Sequence, residues 1–250
     1  MQAFKMTVEY DGSKFSGWQS QLNARSVQGE IQRVARELIG DGIEIQGAGR
    51  TDAGVHALGQ VAHMKLKDSR KKYRPEQILR DFNDALPSSI ALLDCAEVPI
   101  RFHARHDATS RAYFYQISTR KTALSKKFVW WIKEPLDIKS MQECAALIAG
   151  RHNFICFRAA DPSRPDEPTT VVVDSAEVGE DENLIVFRIE ASHFLWKMVR
   201  RLTGTLVKVG KGDVSVDQFK QLLAGRASPK LDVAAWTAPS SGLFLEAVRY

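Results

Sequence analysis

The sequence predicts an α+β fold of two ferredoxin-like halves, each with the element order β-α-β-β-α-β. Their strands would form a mixed, mostly antiparallel sheet flanked by helices. Three observations predict it. Strand-like and helix-like hydrophobic periods alternate in that order through the first hundred residues. A similar order returns, with insertions, in the second half. The chain has 250 residues, 44% of them hydrophobic, enough to bury a sizeable core without metal or disulfide staples. The halves are expected as domains 1–104 and 105–250 with a central cleft, a place that ligand sites favour.

Each element has its own signal. Phe4, Met6, Val8 and Tyr10 recur with period two, a half-buried strand over 3–10 that Asp11-Gly12-Ser13 breaks. Val27, Ile31, Val34, Ala35 and Leu38 share a helical face between an N-cap at Ser26 and a stop at Gly40. Ile43-Glu44-Ile45 reads as a strand, and Ala62, Met64 and Leu66 as the next. Pro75 suits the first turn of a helix carrying Ile78, Leu79, Phe82 and Leu86, and Pro87 ends it. Residues 90–98 make the fourth strand. In the second half Arg111, Tyr113, Tyr115 and Ile117 alternate, and Ile138, Met141, Ala145 and Ile148 mark a helix stopping at Gly150. A proline-rich loop spans 161–168. Strands at 170–178 and 184–190 flank an acidic turn at 180–183. Leu195, Val199, Leu202, Leu206 and Val209 stripe a helix, Ser215-Val216-Asp217-Gln218 opens another as a capping box, and 243–249 is the last strand.

Composition narrows the function classes only a little. Lys and Arg number 35 against 30 Asp and Glu, a net charge of +5 that is compatible with a nucleic-acid partner. Cys95, Cys144 and Cys156 are widely spaced and odd in number, which suits a reducing, cytoplasmic setting. No apolar signal region opens the chain and no run approaches the 18 or so residues of a membrane span, so no membrane partner is expected.

The segment Gly47–His56 concentrates chemistry: glycines around Arg50, Thr51, Asp52 and His56. Glycine permits positive φ and close approach of a ligand. The same pattern also serves a plain β-connection capped by Asp52. It lacks the Gly-Lys-Ser/Thr of a Walker loop and does not open a parallel βαβ unit. The histidines and cysteines have no metal-ligand spacing, so no metal site is expected. Arg111, Tyr113 and Tyr115 share one strand face, which fits base stacking or a tyrosine pair in a sheet core. Lys197, Arg200, Arg201, Lys208 and Lys211 flank the apolar helix stripe, a solvated basic face or a phosphate-binding one. Residues 69–74 and 125–127 are further basic loops. Separated basic patches fit a large polyanion better than a small anion.

Taken together, the segments resemble a known family. Gly49-Arg50-Thr51-Asp52-Ala53-Gly54-Val55-His56 is similar to the signature of TruA-type tRNA pseudouridine synthases. In the same order follow or precede Tyr10-Asp11-Gly12, Gly17-Trp18-Gln19, Ser26-Val27-Gln28-Gly29, Phe102-His103-Ala104-Arg105, Ser110-Arg111-Ala112-Tyr113, Phe194 to Arg200, and Gly242-Leu243-Phe244-Leu245. The resemblance covers essentially the whole chain. It departs from the commoner pattern at Ala112, where many members carry a second arginine, and at Trp196-Lys197.

The resemblance implies the pseudouridine synthase fold with a central RNA-binding cleft. It implies conversion of uridine to pseudouridine at positions 38–40 of the tRNA anticodon stem-loop, without metal or organic cofactor, by a homodimer. Asp52 would be the catalytic aspartate, Tyr113 would stack on the target base and can assist proton removal from C5, and Arg200 would pair with the Asp52 carboxylate. Arg50, Thr51, His56, Arg111, Lys197 and Arg201 would hold the RNA. The reaction breaks N1–C1′ and forms C5–C1′, so it needs a carboxylate at the sugar, as nucleophile at C1′ or base at C2′; both routes stay open. An arginine keeps that carboxylate ionised in a partly dry pocket, and a stacking tyrosine offsets the few kcal/mol, roughly, of base flipping. Three alternatives remain: a related synthase acting at other RNA positions, a non-catalytic RNA-binding protein of the same fold, or a metabolic enzyme acting on a small phosphate ester. The last lacks a phosphate loop.

Overall fold

The computed structural model describes residues 1–67, 71–160 and 166–250. The basic loop expected at 69–74 and the proline-rich loop at 161–168 therefore lie partly outside the described residues. Among these residues there are ten strands and five helices, an α+β fold as expected. The chain divides into two compact units, Met1–Thr109 with Phe244–Tyr250, and Ser110–Leu243.

The first unit holds β1 (Gln2–Tyr10), α1 (Val27–Leu38), β2 (Ile43–Gly47), β3 (His56–Leu66), α2 (Pro75–Ala85) and β4 (Ile90–Val98). β1 lies between β3 and β4, and β2 pairs with β3, all antiparallel. The spatial order β4-β1-β3-β2 is that of a ferredoxin-like unit. The expected caps form. The Ser26 hydroxyl accepts the Gly29 N–H at 3.2 Å, Pro75 sits in the first turn of α2, and Gly40 takes φ 111° just past α1. Both helices are amphipathic; α1 packs on β2, α2 on β4, and the two touch. β3 is buried over Gln60–Met64 without alternation. Its second face is covered too: Val61 packs with Ala48 and Ala104, and Phe102 and Val248 close around them.

The second unit holds β5 (Ser110–Ser118), the short β6 (Trp130–Trp131), α3 (Ile138–Ala146), β7 (Gly150–Asn153), β8 (Thr170–Asp181), β9 (Leu184–Ala191), α4 (Met198–Gly210) and α5 (Val216–Leu223). Its strands run β5-β9-β8-β7, antiparallel, with β6 parallel to β5. β8 and β9 join through a two-residue turn whose Glu182 has φ 48°, the handedness a tight hairpin needs. Ser215 and Gln218 form the expected reciprocal capping box of α5.

The last strand differs from expectation. β10 (Leu243–Arg249) belongs, from Phe244 on, to the first unit, where Phe244 and Leu245 pair in parallel with His56 and Ala57. β2 covers only Ala62–Leu66 of β3, which leaves the start of β3 an open edge for it. The expected division into 1–104 and 105–250 thus differs at both ends: the first unit runs on to Thr109 and takes the C-terminus back.

Candidate active site

The Asp52 loop connects β2 to β3, and its support comes from the segment after β1. The Thr51 carbonyl accepts the Trp18 N–H at 3.1 Å, and the Gly54 N–H donates to the Phe15 carbonyl at 3.2 Å. Within the loop, Val55 N–H closes back on the Asp52 carbonyl at 3.2 Å. The Thr51 hydroxyl shares a 2.8 Å hydrogen bond with the Tyr10 hydroxyl. Burial holds the Tyr10 phenol well above the usual tyrosine range, against the lowering effect of that bond, so it stays neutral. The Gln60 amide donates to the Gly49 carbonyl at 3.0 Å.

Glycines make this approach possible. A Cβ on Gly12 would lie 1.9 Å from the Val55 carbonyl oxygen, and one on Gly17, at φ 92°, would lie 2.4 Å from that of Thr51. The Tyr10-Asp11-Gly12 and Gly17-Trp18-Gln19 motifs are therefore the bed on which the loop rests. From the sequence, Asp11-Gly12 reads only as the break after the first strand; its contact with the Asp52 loop is a tertiary one.

Asp52 is half-buried and Arg50 exposed, so the loop presents both at the surface. Thr51 and His56 are placed otherwise. His56 is 1% exposed. Its Nδ1 accepts the Gly12 N–H at 3.1 Å, with Asp11 Oδ1 at 3.3 Å, and its ring stacks on Phe244 at 4.7 Å. Thr51 and His56, both expected as RNA contacts, hold the loop through these bonds.

In the second unit the expected residues gather at the start of α4 and on β5. Arg200 is fixed by a reciprocal clamp: its Nε donates to the Ala238 carbonyl at 2.8 Å, and the Ala238 N–H donates to the Arg200 carbonyl at 3.1 Å. Tyr113 is 9% exposed and meets Phe194 edge-to-face at 5.1 Å. Tyr115, on the same face, is core: its hydroxyl donates to the Pro239 carbonyl at 2.8 Å. Both tyrosines are buried, Tyr113 against Phe194 and Tyr115 against Pro239. Arg111 donates to the Ser192 carbonyl at 2.7 Å. Lys197 places its ammonium 5.1 Å from the exposed Trp196 ring and has φ 60°, a left-handed backbone.

Arg201 turns inward. It donates to the Arg158 carbonyl, its Nε is buried, and burial lowers its pKa against the raising effect of Asp232. Arg201, expected as an RNA contact, thus ties α4 to the backbone at Arg158. Lys208 pairs with Asp213 at 2.8 Å and Lys211 with Glu134 at 2.9 Å, so the far end of the basic helix is ion-paired surface.

No group of three His, Cys, Asp or Glu among the described residues has the geometry to hold a metal ion, and no described helix is long and apolar enough to cross a membrane. The cysteines are free thiols; burial pushes Cys95 up to about 12 and Cys144 to about 11.

The chain as a whole has relatives among known proteins. The profile of the family described as tRNA pseudouridine synthase matches residues 6–107 and 144–250. A tRNA pseudouridine synthase A of Agrobacterium fabrum is 38% identical over 252 residues, covering 100% of this chain and 93% of that one. The protein of the same name from Sinorhizobium fredii is 38% identical with 100% of both chains covered. That of Rhodospirillum rubrum is 37% identical over 100% of this chain and 88% of its own. The chain belongs to the tRNA pseudouridine synthase family, whose members are isomerases.

Proposed function

We propose that the protein converts uridine to pseudouridine at positions 38–40 of the tRNA anticodon stem-loop, with Asp52 as its catalytic carboxylate and as a homodimer. The observation that carries this is the Asp52 loop itself. Buried Thr51 and the backbone anchors to Phe15 and Trp18 hold it, while Asp52 stays at the surface beside exposed Arg50. A carboxylate in a basic setting is a poor phosphate binder, because like charges repel; it is a sound nucleophile or base. This favours an enzyme over a non-catalytic RNA-binding module.

The isomerisation keeps every atom and is redox-neutral. The C1′–N1 bond breaks, the uracil turns, C5 bonds to C1′, and the C5 proton leaves as N1 gains one. In this reading Asp52 acts at the sugar, Tyr113 stacks on the flipped base, and Arg200 pairs with the Asp52 carboxylate. Arg50, Arg111 and Lys197 contact the RNA. Thr51, His56 and Arg201, expected to hold the RNA as well, also brace the loop and helix that carry these groups.

The test is incubation of unmodified tRNA with purified protein, followed by site-resolved pseudouridine mapping. The expected product lies at 38–40 without added cofactor, and Asp52→Asn reduces turnover by about 10³-fold or more. Full activity of Asp52→Asn overturns the aspartate mechanism; product elsewhere in the tRNA overturns the position. Sedimentation at assay concentrations checks the dimer.

A further inference from the structure

Within the first unit, a half-open groove of about 640 Å³ opens beside the Asp52 loop. Its lining includes Gln19 after the Trp18 anchor, Gln32 on α1, residues 42–47 along β2, Gly49-Arg50 on the loop, and Arg105. The side chains of Gln19, Gln32 and Arg50 make no hydrogen bond or ion pair with the described residues. The lining holds three cations, Arg50, Arg105 and Lys67, against one carboxylate, Glu44. Glu44 is already engaged, with Lys67 Nζ at 3.3 Å and His63 Nε2 at 3.4 Å. The groove therefore has a net positive wall and unused amides.

Arg105 stands on a built support. The Ala104 N–H donates to His63 Nδ1 at 3.1 Å, the Arg105 N–H to His103 Nδ1 at 3.2 Å, and the His103 N–H to Asp107 at 3.0 Å. The Tyr250 hydroxyl donates to the Ala104 carbonyl at 2.8 Å. A segment tied at four points holds its arginine in place. Folding has already met that ordering cost, so binding does not meet it again.

The volume suits one nucleotide, since small-ligand sites span roughly 300–1,000 Å³. A half-open shape suits a ligand that continues as a chain. Arginines match phosphate oxygens, and side-chain amides offer the donor and acceptor pair that reads a base edge. Asp52 lies two residues from Arg50, so whatever occupies the groove adjoins the reacting nucleotide.

We infer that the groove is a subsite for one nucleotide of the substrate RNA next to the flipped uridine. Its phosphate lies between Arg50 and Arg105, and its base edge meets the amides of Gln19 and Gln32. This deepens the functional reading above and rests on it. It makes the groove a determinant of which uridine is chosen, because a neighbour that does not fit places the wrong residue at Asp52.

The test measures anisotropy of a labelled, unmodified anticodon stem-loop RNA across a salt series, beside steady-state kinetics on tRNA. Arg105→Ala weakens RNA binding and raises KM about tenfold, with kcat within about twofold. The slope of log affinity against log salt becomes shallower by about 0.7, the value for one lost contact to a single strand. Arg105→Lys keeps that slope. A merely structural role for Arg105 would change the melting temperature or kcat and leave the slope alone; that outcome overturns the subsite. Should Arg105→Ala not fold, Gln32→Glu on the surface of α1 replaces it, with RNA affinity expected to fall severalfold at unchanged melting temperature. Unchanged affinity there overturns the proposal equally. If the wild-type protein makes no pseudouridine, the functional reading fails, and the anisotropy series still decides whether the groove holds RNA.

Discussion

The Asp52 loop and the start of α4 solve the same problem by different means. Each must present a charged side chain from a support that does not give. The loop is held by backbone hydrogen bonds to 15–18, a hydroxyl pair at Tyr10 and Thr51, and close backbone approach at Gly12 and Gly17. The helix is held by burial almost all round, including Met198, Val199, Leu202, Leu206 and Val209, and by arginines that grip carbonyls. Polar anchors place a loop closely at small cost in core volume. Apolar packing gives a helix more stability, but its fixed periodicity dictates where each charge points. The two regions should therefore break differently: the loop loses geometry first, and the helix loses stability first.

Two glycines test that difference, with the largest effects expected. A Cβ at Gly204 in α4 would sit 1.7 Å from the Trp236 carbonyl oxygen, in a segment clamped through Ala238 to Arg200. Neither backbone has room to move, so Gly204→Ala should cost about 3 kcal/mol or more, read as a lower urea midpoint. At Gly12 the obstacle is the Val55 carbonyl, 1.9 Å from the added Cβ, so the displacement falls on the loop that carries Asp52. Gly12→Ala should lower the midpoint less but reduce turnover about 10²-fold, the scale expected for misplacing a reacting group by about an ångström. Equal loss of stability in both variants would remove the distinction.

The support beneath Arg105 adds a pH dependence that α4 lacks. Burial lowers the pKa of His63 and of His103, with further lowering from their histidine neighbours and Lys65; Glu44 raises His63 and Asp107 raises His103. Both Nδ1 atoms accept backbone N–H groups and do so only when unprotonated. The folded protein therefore binds fewer protons than the unfolded chain, and stability rises with pH. That contribution is complete above the unfolded histidine value of about 6.5 and is lost as pH falls through the lower folded values. Unfolding free energies between pH 5 and 8 should show the decline, and His103→Asn should flatten it.

How legible these regions were in the sequence follows from the same contrast. Local signals read well: the period of β1, the ends of β4, the caps at Ser26 and Ser215. Each depends on residues a few positions apart. What the sequence did not display is pairing at a distance. The start of β3 looks like loop because Gly54 precedes it and Gly59 interrupts it, yet β10, nearly 190 positions on, completes that edge. Gly150 reads as a helix stop, but α3 ends at Ala146 and Gly150, at φ 102°, opens β7. For the site, the motif around Asp52 was visible, whereas the burial of His56 and Thr51 and the inward turn of Arg201 depend on partners that spacing does not show. The charge run on α4 likewise gave no hint that Lys208 and Lys211 had acidic partners.

A smaller effect tests the polar anchoring of the loop. Thr51→Val keeps the shape and removes the hydroxyl that meets Tyr10. The neutral, buried Tyr10 phenol then lacks that partner, so stability should fall by about 1–2 kcal/mol in thermal melts. Tyr10→Phe with Thr51→Val should recover part of the loss, since no hydroxyl is then stranded. A double variant as unstable as the sum would show that the pair does not act together.

The smallest effect is expected at the start of α4, and its sign is positive. Lys197 holds φ 60° without glycine's freedom, which costs about 1 kcal/mol. Lys197→Gly relieves that strain, and glycine is tolerated at a helix N-cap. The same change removes the ammonium lying 5.1 Å from the Trp196 ring, an exposed contact of about 0.5 kcal/mol. The balance is a gain of roughly 0.5 kcal/mol, a rise of a degree or two in melting temperature. If Lys197 also contacts RNA, the more stable variant binds tRNA more weakly, with a shallower salt dependence. Stability and affinity moving together would instead assign the left-handed backbone to folding alone, leaving the helix start with no part in RNA binding through this residue.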